Sequence, residues 1–114
     1  MIMDYQIQYD EHIAILELHG VLDVESAPTF KTALQSILDK GSNQAVVVDM
    51  ADVAFMDSSG LGVLIGAYRR LNGMGGRIAL VNVVSAVRTV LELTRTQQLF
   101  EMYDTRAEAV DALR

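Results

Sequence analysis

The residues best placed to do chemistry stand in one stretch, Phe55-Met56-Asp57-Ser58-Ser59-Gly60-Leu61-Gly62. Two hydroxyls beside a carboxylate follow an apolar, strand-like run and precede helical periodicity, so the polar groups fall where a strand hands over to a helix. Asp57, Ser58 and Ser59 are each competent to accept hydrogen bonds from the free amides of a helix start. A serine there is also where an added phosphate is best tolerated, because the unpaired N–H groups and the helix dipole favour negative charge. Gly60 and Gly62 each cost up to ~1 kcal/mol against Ala in a helix, which suggests close approach by a backbone or a partner. Met56, beside the loop, is a candidate adaptable contact.

Other chemistries fare worse. The Ser58-Ser59-Gly60 turn is similar to a nucleophile elbow, but Met56 stands where the preceding glycine is required. The histidines, His12 and His19, are seven residues apart; on one strand that spacing points them to opposite faces, neither a shared metal site nor an obvious base for Ser58. Asp49, Asp52 and Asp57 could pass for the acidic pocket of a receiver-type phospho-acceptor domain. Such a pocket needs a late cation on the phosphoryl oxygens; the chain has no Lys after Lys40, and Arg77 is an awkward substitute. The glycines of Gly60-Leu61-Gly62 and Gly73-Met74-Gly75-Gly76 lack the Lys-Ser/Thr of a phosphate loop. With no cysteine, thiolate chemistry is excluded. No metal cage, cofactor fingerprint or catalytic residue is expected.

The elements that must position the loop follow from periodicity. Residues 1–10 alternate, with Met3, Tyr5, Ile7 and Tyr9 on one parity, as a half-exposed edge strand would. A turn at Asp10-Glu11 leads to residues 12–20, with Ala14, Leu16 and Leu18 on one face and Ile13 and Ile15 on the other; a tight turn makes the pair antiparallel. Ser26-Ala27-Pro28 starts a helix carrying Phe30, Ala33, Leu34, Ile37 and Leu38 and ending before Gly41. Residues 45–50 form a continuous apolar run, a central strand covered on both faces. A helix follows from about residue 60 to Asn72-Gly73, then a strand at 77–81. Ser85 can cap a third helix with Val87, Val90 and Leu91, residues 100–103 give a last short strand, and Thr105-x-x-Glu108 is a capping box for a closing helix with Val110 and Leu113. The order β-β-α-β-α-β-α-β-α predicts a mainly parallel α/β sheet with an antiparallel N-terminal edge strand and right-handed crossovers. With 114 residues, 51% of them apolar, the chain is expected to form a single domain over 1–114.

Residues 46–65, VVVDMADVAFMDSSGLGVLI, resemble the signature of the STAS-domain anti-sigma-factor antagonists, a strand, an Asp-Ser-Ser-Gly-Leu-Gly loop and a helix. The likeness continues through Leu18-x-Gly20-x-Leu22-Asp23, Gly75-Gly76-Arg77 and the closing Glu108-Ala109 helix. One departure is Thr94-Arg95-Thr96-Gln97-Gln98-Leu99-Phe100, where family members often carry a Gly-Leu step. The resemblance implies a STAS-like fold and places the regulatory phosphoserine at Ser58, with Ser59 shaping the loop; Asp23, Met56, Asp57, Ser59, Gly60, Leu61 and Gly62 are the expected loop and partner-binding residues. It also implies a cycle. The unmodified chain binds an anti-sigma factor that is a serine kinase and releases sigma; phosphorylation of Ser58 ends that binding; a metal-dependent serine phosphatase resets the switch. The alternative is a STAS binding or scaffold module without switching, either a small-ligand sensor or a regulator of an output other than sigma.

Charge is consistent with a protein partner. The net charge is −6, and residues 1–60 carry two Lys against ten acids. An acidic chain repels phosphate backbones and anionic lipid, so direct binding of nucleic acid or membrane is not expected, whereas a partly basic protein surface suits it. No apolar run approaches the ~18 residues of a membrane span, and no basic leader precedes Asp4, so a cytoplasmic location is expected.

Overall fold

A computed structural model describes residues 3–41 and 44–114; residues 1 and 2 of the predicted first strand lie outside them. Strands β1 (Asp4–Asp10) and β2 (Ile13–Leu22) pair antiparallel, and β3 (Ala45–Met56), β4 (Arg77–Val81) and β5 (Glu101–Tyr103) add in parallel, in chain order. Helices α1 (Ala27–Leu38), α2 (Ser58–Gly73) and α3 (Ser85–Leu93) are the three crossovers. Each steps the same way across the sheet, so a common right-handed sense puts all three on one face. There Phe30, Leu34, Leu64, Leu71, Val87 and Leu91 meet Ala14, Leu16, Leu18, Val46 and Val48 in the larger core. Helix α4 (Arg106–Leu113) covers the other face, where Ala109, Val110 and Leu113 pack on Ile13, Ile15, Val47, Ala79 and Val81. The expected α/β architecture and the division of β2 into two apolar faces are therefore observed.

The differences lie at element ends. β3 continues six residues past the apolar run. Against β2 its register slips twice, Glu17 and His19 facing Asp49 and Asp52, then Gly20 and Leu22 facing Val53 and Met56. Each slip inserts one extra β3 residue, a bulge that bends and twists the strand. The inward positions consequently become Met50, Val53 and Met56, all fully buried, and this spacing of three hides the strand from a search for alternation. Ser85 is the first residue of α3, not its cap; Val84 holds that position and supplies no side-chain hydrogen bond. A short 3-10 turn, Gln97–Leu99, stands between α3 and β5, where periodicity gives no element. In the departing segment α3 closes through Arg95, left-handed at φ 58°, a conformation glycine adopts without steric cost. The Thr105–Glu108 capping box of α4 forms in full.

Candidate functional site

The site is built where β3 ends. The Asp57 amide donates to Leu22 O (2.9 Å), so the loop after β2 and the loop after β3 are tied together. Asp57 is the N-cap of α2: its Oδ1 accepts from the amides of Ser59 (2.8 Å) and Gly60 (3.3 Å). Of the first-turn amides that a helix leaves unpaired, those of Asp57, Ser59 and Gly60 are thereby satisfied. The Ser58 amide is the one with no partner among the described residues. Helix α2 thus begins two residues earlier than periodicity predicts, and of the three competent caps Asp57 takes the role.

This cap leaves Ser58 at the first helical position, exposed, with its hydroxyl free of hydrogen bonds among the described residues; Ser59 is half-buried. Met56, Gly60 and Leu61 lie in the core beneath the loop, so none of these three expected partner-binding residues is on the surface. The reason for Gly60 is internal: a Cβ there would stand 2.7 Å from Leu22 Cβ and 3.2 Å from Leu22 O. Gly62 is exposed and open, with nothing within 4 Å of an added Cβ. It borders an open groove of about 430 Å³ between α1 and α2, which Ser59, Lys31, Leu34, Val63 and Arg70 also line.

Asp23 belongs to the adjoining loop. Its Oδ1 accepts from the amides of Glu25 (3.0 Å) and Ser26 (3.1 Å), and the Ser26 hydroxyl donates to Val21 O, so the carboxylate holds the approach to α1. The structure therefore brings Asp23, Asp57 and Ser58 together on two hydrogen-bonded loops. Two apolar side chains beside them are exposed, neither of them expected as a contact: Val24 is 71% and Phe55 49% exposed. Phe55 could have been found as a large apolar residue between the buried positions of a strand; nothing local marks Val24.

The three acids of the receiver-type reading do not converge. Asp57 caps α2, Asp52 meets His19 Nδ1 (2.7 Å), and Asp49 lies on the α4 face, held by Arg106 (2.8 Å) and by Asn82 Nδ2 (3.1 Å). Burial works to raise the Asp49 carboxyl, but the hydrogen bonds from Arg106, Asn82 and the Ala51 amide outweigh it and hold the group below the usual aspartate range. Arg106 also binds Glu17 (3.0 Å), which lies 3.4 Å from His19 Nε2. The hydrogen bond to Asp52 chiefly raises His19 above its ordinary value. His12 sits in the turn before β2, not on the strand, and its Nε2 meets Leu113 O (3.0 Å). Both histidines therefore reach the α4 side, His12 before β2 and His19 six residues along from its start, so the opposite-face expectation was wrong although their separation stands. Among the described residues no group of three His, Cys, Asp or Glu could hold a metal ion, and no helix is long and apolar enough to cross a membrane.

The STAS domain family matches residues 4–109, and the chain belongs to that family. The anti-sigma F factor antagonist of Paenibacillus polymyxa is 28% identical over 113 residues, 97% of each chain. Among solved structures, TM1081 from Thermotoga maritima superposes with a TM-score of 0.89 at 31% identity, covering 96% of this chain and 94% of its own. The anti-sigma factor antagonist SpoIIAA, unphosphorylated, gives 0.77 at 26% identity, covering 97% and 98%. Its phosphorylated form, from Bacillus, gives 0.76 at 24%, covering 97% and 100%.

Proposed function

We propose that this chain is an anti-sigma-factor antagonist whose binding to an anti-sigma factor with serine kinase activity is switched off by phosphorylation of Ser58. The observation that carries the reading is the exposed, unbonded hydroxyl of Ser58 at the start of a 16-residue helix already capped by Asp57. A phosphate there displaces no structural hydrogen bond. It adds about −1.5 to −2 charge beside the Asp57 carboxylate and close to Asp23, so the fold persists while the surface changes. The relatives named as anti-sigma factor antagonists, and SpoIIAA described in both phosphorylation states, support this assignment.

In this reading the partner meets the two joined loops. Val24 and Phe55 supply apolar contact, and Asp23 and Asp57 meet basic groups on the same two loops as Ser58. The chain is ligand and substrate, not catalyst; the partner supplies the kinase, and a metal-dependent serine phosphatase restores the hydroxyl. A differential of roughly 1–3 kcal/mol between the two forms would change affinity about 5–150-fold, enough to exchange partners. The test is calorimetric titration of the cognate anti-sigma kinase with the unmodified chain, the Ser58-phosphorylated chain and Ser58→Ala. Tight binding by the first and third with weak binding by the second is expected; equal affinity of the two phosphorylation states would overturn the switch.

A further inference from the structure

The edge strand β1 carries a feature that the site does not use. Its sequence, Asp4-Tyr5-Gln6-Ile7-Gln8-Tyr9-Asp10, reads the same in both directions about Ile7. β1 pairs on one side with β2 and forms one edge of the sheet; the opposite edge, β5, has only three residues. In an antiparallel pair, alternate residues turn both N–H and C=O away from the partner, so β1 presents a row of free backbone donors and acceptors. The strand holds no lysine, proline or bulge; its charges are the terminal Asp4 and Asp10, and the one lysine against it, Lys40, lies 4.3 Å over the Tyr9 ring.

We propose that β1 pairs antiparallel with β1 of a second copy about a two-fold axis through Ile7, joining two five-stranded sheets into one. That axis sets Ile7 opposite the partner's Ile7, Tyr5 opposite the partner's Tyr9, and Gln6 opposite the partner's Gln8. Because the strand is palindromic, every cross-strand pair joins like with like. On the helix-bearing face, Tyr5 and Tyr9 are 37% and 43% exposed and Ile7 is half-buried, so each gains cover from its counterpart. Aromatic cross-strand pairs stabilise a sheet in this way. The arrangement brings Asp4 opposite the partner's Asp10, and the chain carries the compensation: Arg114 binds Asp10 at 2.8 Å and stands at both ends of the joined strand pair. A second copy is the occupant that fits, because two-fold closure matches one patch with itself and a palindromic strand is self-complementary.

The strand is short and the contact small, so association is concentration-dependent rather than permanent. The experiment is sedimentation velocity from about 10 μM to 1 mM, the weak range suited to an interface under about 1,200 Å². The wild-type chain should shift from monomer to dimer across that range. Gln6→Lys with Gln8→Lys sets lysine against lysine on the face opposite the tyrosines and should remove the dimer. Gln6→Lys with Gln8→Glu sets lysine against glutamate in this register alone and should restore it. Circular dichroism melts establish that both variants fold. A wild type that stays monomeric, a lysine pair that dimerises like wild type, or a Lys–Glu variant that stays monomeric would each overturn the proposal.

Discussion

Gly60 and Gly62 are two residues apart at the start of the same helix, and the structure gives them opposite fates. At Gly60 a methyl group would lie 2.7 Å from Leu22 Cβ, 3.1 Å from Met56 Cγ and 3.2 Å from Leu22 O. The first and third of these are fixed to the backbone that carries Asp57's hydrogen bond, so they cannot turn aside. Because two of these contacts are fixed to the backbone, the overpacking falls in the upper part of the usual range, about 2–3 kcal/mol, and the better helix propensity of Ala returns up to ~1 kcal/mol. Gly60→Ala should therefore destabilise by about 1–2 kcal/mol. With an unfolding entropy of about 2.1 cal/mol/K per residue, that is a fall in Tm of roughly 4–8 °C. Gly62→Ala meets nothing within 4 Å and should be neutral or raise Tm by up to ~4 °C. Calorimetric melts of the two variants against wild type are the assay. A Gly60→Ala chain as stable as wild type, or a Gly62→Ala chain less stable than Gly60→Ala, would refute the packing of Leu22 against α2.

Other outcomes follow from the same geometry. Asp57→Ala should lose about 1 kcal/mol of stability by uncapping α2, while Asp57→Asn keeps most of it and Ser58→Ala stays within about 0.5 kcal/mol, read by denaturant melts. Phe55→Ala should weaken partner affinity by more than about 5-fold, as a buried aromatic anchor does, with little change in Tm; loss of Tm without loss of affinity would return Phe55 to a structural role. Asp49 is held below its ordinary 3.8, so it contributes stability that is present above that value and lost as pH falls through its lower folded value. Arg106→Gln should flatten that acid limb of the stability profile. If Asp23 and Asp57 meet a basic surface, association measured by stopped flow should slow with added salt. Asp23→Asn should also slow it without unfolding the chain, since the amide oxygen can still accept from Glu25 and Ser26.

The fold was legible wherever periodicity was clean. The two faces of β2, the apolar stripe of α1, the run at 45–50 and the Thr105–Glu108 box all stand where their patterns place them, because each is set by neighbours in the chain. The end of β3 was not legible, since two bulges replace alternation by the spacing Met50, Val53, Met56, and a bulge depends on the partner strand. The start of α2 was narrowed to three residues; choosing Asp57 among them requires the Leu22 carbonyl, far away in sequence. Ser58 and its neighbours were found as a group, but local pattern did not divide them into the exposed Ser58 and Gly62 and the buried Met56, Gly60 and Leu61. The Glu17–Arg106–Asp49 cluster joins positions brought together only by α4 crossing to the opposite face.

The central claim is that Ser58 carries the switch, and site-mapped mass spectrometry of the protein purified from its native cells tests it most directly. A fraction of the chain heavier by about 80 Da, with the phosphoryl group on Ser58 and its amount changing with growth state, is the expected result. Phosphate found mainly on Ser59, or no modified chain under any growth state, would contradict it.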